Sequence, residues 1–160
     1  MAMLNNYLTI LEDSLKKKVA ILDRIQGLNQ AQMDLFKDGK PDLEQYDNYV
    51  NDKADCIAEI EKLDEGFETL YANVKQELDQ NRSLYAEQIK RMQGLIGEIT
   101  EKSMSVQAQE SRNRDMVTAY FKKERESIGQ GRKASKAAYG YYQSLSKAGR
   151  ESNSIMDLKK

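Results

Sequence analysis

The side chains that could carry chemistry in this chain are limited by two residue types. Among the 160 residues there is no histidine and a single cysteine, Cys56. A Ser-His-Asp or Cys-His nucleophile, a histidine-ligated zinc or iron site and imidazole acid–base catalysis are therefore excluded within the chain. One cysteine also excludes an intrachain disulfide and a multi-cysteine metal cluster.

Carboxylates are the most abundant reactive groups, with nine between residues 42 and 65. Paired carboxylates could serve a hydrolase or bind a hard cation. Their helical spacing instead predicts a solvated helix face, so we expect no catalytic and no metal-binding residues, and no cofactor. Asp64 would lie on an apolar seam, where a charge needs either a partner such as Lys18 or a solvent-exposed, flared region. Cys56 is expected to be a half-buried small apolar residue.

Two features near the C-terminus suggest ligands. The sequence Gly129-Gln130-Gly131-Arg132-Lys133 lacks the spacing and the preceding strand of a phosphate-binding loop, and indicates a flexible linker. Basic and aromatic residues then alternate, which fits a protein partner, packing within the chain, or single-stranded nucleic acid. We predict that these residues bind a protein partner and that they do not bind nucleic acid. The alternating residues are Lys133, Lys136, Tyr139, Tyr141, Tyr142 and Lys147.

Apolar residues from Leu4 to Phe36 follow a heptad pattern, which predicts a first long helix. Further apolar residues beside the heptad, such as Ile21 and Leu28, widen the stripe and predict packing against more than one helix. Gly39 can adopt the left-handed conformation that closes a helix. Pro41 prevents continuation and is suited to the first turn of a new helix, so the chain should return antiparallel.

A second heptad register continues from Leu43 to Ile99 without a proline, which predicts one helix roughly 85 Å long against about 50 Å for the first. The first helix would leave Asn81–Ile99 uncovered. A folded-back C-terminal part, a second copy or a partner protein could cover this stretch, and Asn81, Gln88 and the glycines at 94 and 97 mark where it could break. The predicted partner-binding residues on it are Tyr85, Met92, Leu95 and Ile99.

The remaining sequence predicts a weakly patterned turn or frayed helix at 103–111, a third helix at about 111–127, and a short amphipathic helix beyond the glycines. Residues 122–160 carry ten basic and four acidic residues, a net charge of +6 that leaves −7 on residues 1–121. The fold class predicted is all-α: a long, coiled-coil-like antiparallel hairpin over 1–127 with an additional C-terminal helical segment, and a basic, partly flexible tail over 128–160. Its predicted partner-binding residues are Ala134, Ala138, Tyr139, Tyr141, Tyr142 and Leu145.

Neither end of the sequence has a membrane signal. The N-terminal residues lack a basic start followed by an apolar run, so no signal peptide is predicted. No uncharged stretch is long enough to cross a bilayer, so no membrane insertion is expected. The expected location is the cytoplasm.

Seven short segments spread over nearly the whole chain form a further pattern. They are Leu-Glu-Asp-Ser-Leu at 11–15, Ile-Leu-Asp-Arg-Ile at 21–25, the Lys-Asp-Gly turn at 37–39, Lys-Ala-Asp at 53–55, Ile-Ala-Glu-Ile-Glu-Lys-Leu-Asp at 57–64, Ala-Tyr-Gly at 138–140 and Met-Asp-Leu-Lys at 156–159. Together these segments resemble the FlgN family of flagellar type III export chaperones, and the related FliT type is similar as well.

The resemblance implies a cytosolic, non-enzymatic protein that binds the C-terminal helices of hook–filament junction proteins. It would keep these partners from premature assembly and deliver them to the flagellar export gate. In the family, client binding is associated with the C-terminal helical region and a tail tyrosine with docking at the gate. Tyr139 would have that second role, although Tyr141 and Tyr142 leave the alignment open. The alternative prediction is a structural homodimeric coiled coil without chaperone activity.

Overall fold

Three long helices make up the part of the chain that the structure, a computed structural model, describes, which is residues 2–127. They are α1 (Ala2–Phe36), α2 (Leu43–Gln80) and α3 (Ala86–Ser127). α1 packs against both of the others. The described residues contain no strand, and the all-α prediction is confirmed.

The heptad of α1 forms the centre of the bundle. Its apolar members Leu4, Leu8, Leu11, Leu15 and Ile25 are at most 2% exposed. Because α1 touches two neighbours, one narrow stripe of leucines would not suffice, and the partly buried Ile21 and Leu28 at its flanks pack against the same core. The predicted contact with more than one helix is therefore confirmed.

The connection between α1 and α2 forms where the sequence predicted it. Gly39 has a φ of +73°, in the left-handed region that glycine adopts without a steric penalty. α2 begins two residues after Pro41, and Asp42 is its N-cap, accepting hydrogen bonds from the backbone N–H groups of Glu44 and Gln45 at 3.0 and 3.3 Å. The resulting antiparallel hairpin places Phe36 beside Tyr46, with ring centroids 5.4 Å apart.

The prediction of a single helix from Leu43 to Ile99 was wrong. α2 ends at Gln80, residues 81–85 form turns, and α3 then runs without interruption to Ser127. Asn81 ends α2: its backbone N–H donates to the Leu78 carbonyl and its side-chain amide donates to the Glu77 carbonyl. The break falls at Asn81, one of the positions at which the sequence indicated that the segment could break. An asparagine can terminate a helix in this way without glycine or proline.

The helical stretch after this turn is also longer than predicted. Residues 103–111, expected to be a turn or frayed helix, lie inside α3, so the third helix begins at Ala86 rather than near residue 111. With 42 residues, α3 extends about 63 Å, so it is shorter than the roughly 85 Å helix that the sequence predicted for the different segment from Leu43 to Ile99. No helix in residues 2–127 combines the length and apolarity of a membrane span.

α3 lies parallel to α1 and antiparallel to α2. Arg91 near the start of α3 pairs with Glu12 of α1, and Tyr120 near the end of α3 packs against Phe36, with centroids 5.3 Å apart. The stretch Asn81–Ile99 is therefore covered by α1, and the prediction that this hairpin arm would leave it uncovered was wrong. None of the three coverings considered is seen in residues 2–127, because the stretch folds back onto α1 instead.

Candidate functional site

The residues predicted to bind a partner on the second heptad segment lie inside the bundle. Met92 and Ile99 are 7% and 3% exposed, and Tyr85 and Leu95 are partly buried against the same core. These side chains pack on α1, so the reason for assigning them to a partner surface no longer holds. The other predicted binding residues lie outside the described part of the chain: Ala134, Ala138, Tyr139, Tyr141, Tyr142 and Leu145.

The carboxylates between 42 and 65 do not gather into a reactive group. Within residues 2–127 no three potential metal ligands of the His, Cys, Asp or Glu type come together. Asp64 is one of the carboxylates that do not lie on a solvated helix face. It is 3% exposed, and its two oxygens accept hydrogen bonds from the Lys18 ammonium at 2.7 and 2.9 Å. The pairing suggested by the sequence is confirmed, and its role is to join α1 to α2.

A second buried cation, Lys53 of α2, lies where all three helices meet. Its ammonium donates to the Asn29 and Gln32 side chains of α1 and, at 3.0 Å, to the Glu110 carboxylate of α3. Burial lowers the pKa of Lys53, while the neighbouring Glu110 carboxylate opposes that shift. Asn113 completes the layer by donating to the Asn29 backbone carbonyl at 3.0 Å. The sequence pattern gave no indication that Lys53 would meet both Asn29 and Glu110.

The cysteine is poorly suited to nucleophilic work. Cys56 is 3% exposed, and burial raises the pKa of its thiol, opposed in part by the nearby Arg24 guanidinium. A protonated, enclosed thiol is a weak nucleophile. Cys56 therefore acts as a small apolar side chain, as the sequence predicted, although it is fully rather than half buried.

An open groove runs between α1 and α2. It consists of two adjoining hollows of 320 and 470 Å³ that share Lys17 and Leu63. All of its lining residues belong to these two helices: Ile10, Leu11, Asp13, Ser14, Lys17, Ala20 and Ile21 on α1, and Glu59, Lys62, Leu63, Gly66, Phe67 and Leu70 on α2. We call this surface the α1–α2 groove.

The floor of the α1–α2 groove is apolar and partly exposed. Leu11 and Phe67 form its buried base, whereas Ile10 is 54% exposed at its rim. Gly66 lies in the middle of α2, and a Cβ atom there would meet nothing within 4 Å. Glycine inside a helix is less favourable than alanine by about 1 kcal/mol, and no close packing within the described residues requires it here. The groove is thus widened at its centre.

Two lysines face the middle of the groove from opposite walls, Lys17 on α1 and Lys62 on α2. Both are exposed, and within residues 2–127 neither makes an ion pair or hydrogen bond. Acidic residues flank them, with Asp13 toward one end and Glu59 toward the other. The arrangement can hold an anionic group at the centre of a groove whose floor is apolar. Only Ile21, a residue that widens the α1 stripe, hinted at this surface in the sequence.

No protein-family model, curated protein or solved structure matches the chain, so the interpretation of the groove depends on its own geometry.

Proposed function

We propose that this protein is a non-catalytic, helix-binding chaperone that acts in the cytoplasm on flagellar type III export substrates, as its resemblance to the FlgN family implies. It would bind the C-terminal helices of hook–filament junction proteins, prevent their premature assembly and deliver them to the export gate. The observation that best supports binding of a helix is the α1–α2 groove, with its apolar floor and exposed rim.

The dimensions of the groove suit a helical partner. From Ile10 to Ile21 it follows eleven residue steps of α1, which is about 16 Å, or three helical turns. An amphipathic helix placed in such a groove contacts it through residues spaced three and four apart, on about three turns. Binding would cover Ile10, Leu63 and Leu70, which the bundle itself leaves exposed or only partly buried.

Capture of purified junction proteins by the full-length chain, followed by calorimetry, tests this proposal. Gly66→Leu adds a side chain to open space in the groove and should weaken binding about tenfold or more, since it occupies the volume meant for the client. Gly27→Leu is the matched control, because Gly27 is a helical glycine with equally open surroundings outside the groove lining. Absence of capture by the unmodified chain, or equal affinities of the two variants, contradicts the proposal.

The alternative, a homodimeric coiled coil, started from the uncovered Asn81–Ile99 seam. α1 now covers this seam through Met92, Ile96 and Ile99, so a dimer through it would require the bundle to open. Light scattering on the full chain distinguishes the two: a monomer at micromolar concentration excludes the homodimer. The assignments of Tyr139 to gate docking and of the tail to client contact stay predictions from the resemblance.

A further inference from the structure

We propose that the α1–α2 groove selects an amphipathic helix of a partner protein that has a carboxylate at the centre of its apolar stripe, and that Lys17 and Lys62 bind this carboxylate from the two walls. The inference depends on the proposed function for the presence of a helix in the groove. It adds the chemical feature by which one helix would be chosen over another.

The spacing of the two lysines follows from the pairing of the helices. Lys18 bonds to Asp64 and Asn29 bonds to Lys53, so residues of α1 and α2 at the same height have numbers that add up to 82. Lys62 is therefore level with residue 20 of α1, three positions from Lys17, or about 4.5 Å along the groove. One carboxylate between the walls is within reach of both flexible ammonium groups, and charge-assisted hydrogen bonds of this kind are stronger than neutral ones.

Apolar contacts are available on both sides of the lysine pair. Leu63 lies at the height of the lysines, Ile21 about 4 Å toward one end, and Ile10 with Leu70 about two turns toward the other end. A bound helix would therefore place a Glu or Asp among apolar residues that lie about 4 Å away on one side and about two turns away on the other. Asp13 and Glu59 repel further acidic residues near the ends, so the charge pattern favours a carboxylate at the centre only.

The same charges disfavour two other occupants. The C-terminal residues 122–160 have ten basic against four acidic side chains, so their net charge opposes docking on a lysine pair. A second copy that used the same groove across a two-fold axis would place its own Lys17 and Lys62 against those of the first copy. An acidic-centred helix from another protein avoids both repulsions.

Fluorescence anisotropy with two synthetic peptides tests the proposal on the full-length protein. The probes are stapled amphipathic helices that differ only in a central Glu or Lys within a leucine stripe. We expect the Glu peptide to bind about tenfold or more tightly than the Lys peptide in low salt, with the preference reduced as salt is raised. The double variant Lys17→Glu and Lys62→Glu should reverse the preference. The matched control, Lys75→Glu with Lys90→Glu, changes exposed lysines outside the groove lining and should leave it unchanged.

Carbodiimide cross-linking identifies the occupant directly, because it joins a carboxylate to an amine in contact with it. The expected product joins the peptide glutamate to Lys17 or Lys62. Equal affinity for both peptides overturns the proposal, as does an unreversed preference in the double variant. Cross-links from these lysines to Glu151 or Asp157 of the same chain, or to a second copy, in place of the peptide also overturn it.

Carboxylate recognition by the groove and the chaperone function can fail independently of each other. If the Glu peptide is preferred and cross-linked while junction proteins are not captured, carboxylate recognition holds and the chaperone assignment fails. If junction proteins are captured in a manner that Gly66→Leu weakens, but the Glu peptide has no advantage, the chaperone assignment holds and carboxylate recognition fails.

Discussion

At the residue scale, the bundle depends on charges placed where leucines would be expected. Lys18, Lys53 and Asp64 are each at most 3% exposed, and each makes an ion pair with a neighbouring helix. A buried ion pair adds little net stability compared with apolar residues of similar size, but removal of one partner leaves an uncompensated charge in the interior. The pairs therefore penalise any shift of one helix along another.

Substitution of one member of the Lys18–Asp64 pair tests this directly. Lys18→Met should lower the free energy of unfolding by about 3–5 kcal/mol, since it leaves the Asp64 carboxylate buried without its cation. The double variant Lys18→Met with Asp64→Leu should recover most of this loss, because neither charge remains. Urea denaturation of the four proteins of the cycle gives both values. A double variant as unstable as the single one would show that the ion pair itself stabilises the fold.

The pH dependence of stability provides a second residue-scale test. Because burial lowers the pKa of Lys53, the folded protein binds fewer protons at this site than the unfolded protein does. The free energy of unfolding contributed by Lys53 therefore rises with pH through the interval between its folded pKa and the ordinary value of 10.5. We expect a steeper rise in the unmodified chain than in Lys53→Met, measured by urea denaturation at a series of alkaline pH values. Identical slopes would contradict the lowered pKa.

At the element scale, the bundle is defined by how its helices begin and end. The α1–α2 turn is specified by Gly39, Pro41 and Asp42, and two of these residues were recognisable in the sequence as helix-ending signals. The α2–α3 turn at 81–85 has neither glycine nor proline. Asn81 was one of several positions at which the sequence indicated a possible break, but the apolar pattern continues past it. Its side-chain hydrogen bond to the Glu77 carbonyl identifies it as the place of the reversal.

The N-cap of α2 offers an element-scale prediction. Asp42→Ala removes the acceptor for the Glu44 and Gln45 backbone N–H groups and should lower the free energy of unfolding by about 1 kcal/mol. Asp42→Asn keeps an acceptor and should cost only a few tenths of a kcal/mol. Thermal unfolding followed by circular dichroism compares the two variants. Equal melting temperatures for both would contradict a role for the cap.

At the whole-molecule scale, the sequence predicted the helical class and the first hairpin, but not the arrangement of three helices. Periodicity identifies which face of a helix is apolar, and it correctly predicted the buried face of α1 from Leu4 to Ile25. It does not identify which other helix covers that face, so Met92 and Ile99 were placed on a partner surface although α1 buries them. The α1–α2 groove was missed for the same reason, because its residues become neighbours only once two helices are paired.

The return of α3 along α1 can be checked by cross-linking. Lys102 of α3 donates to Asp23 of α1, at a sequence separation of 79 residues. Carbodiimide treatment of the monomeric chain should form an amide between these two side chains, detectable by peptide mapping. Lys102→Arg keeps the charge but removes the reactive amine, and should abolish this product. A helix that continued straight past Gln80 would carry Lys102 away from α1, and no intramolecular product would form.

The parallel placement of α1 and α3 has a consequence for synthesis on the ribosome. Contacts between them, such as Glu12 with Arg91 and Asn29 with Asn113, join residues 79 to 84 positions apart. At a synthesis rate of about 5–20 residues per second, the contacting residues of α3 are made roughly 4–16 s after their partners on α1. The α1–α2 hairpin is complete much earlier, so the side of α1 that α3 covers stays exposed during that interval. The bundle can close only after α3 has been made.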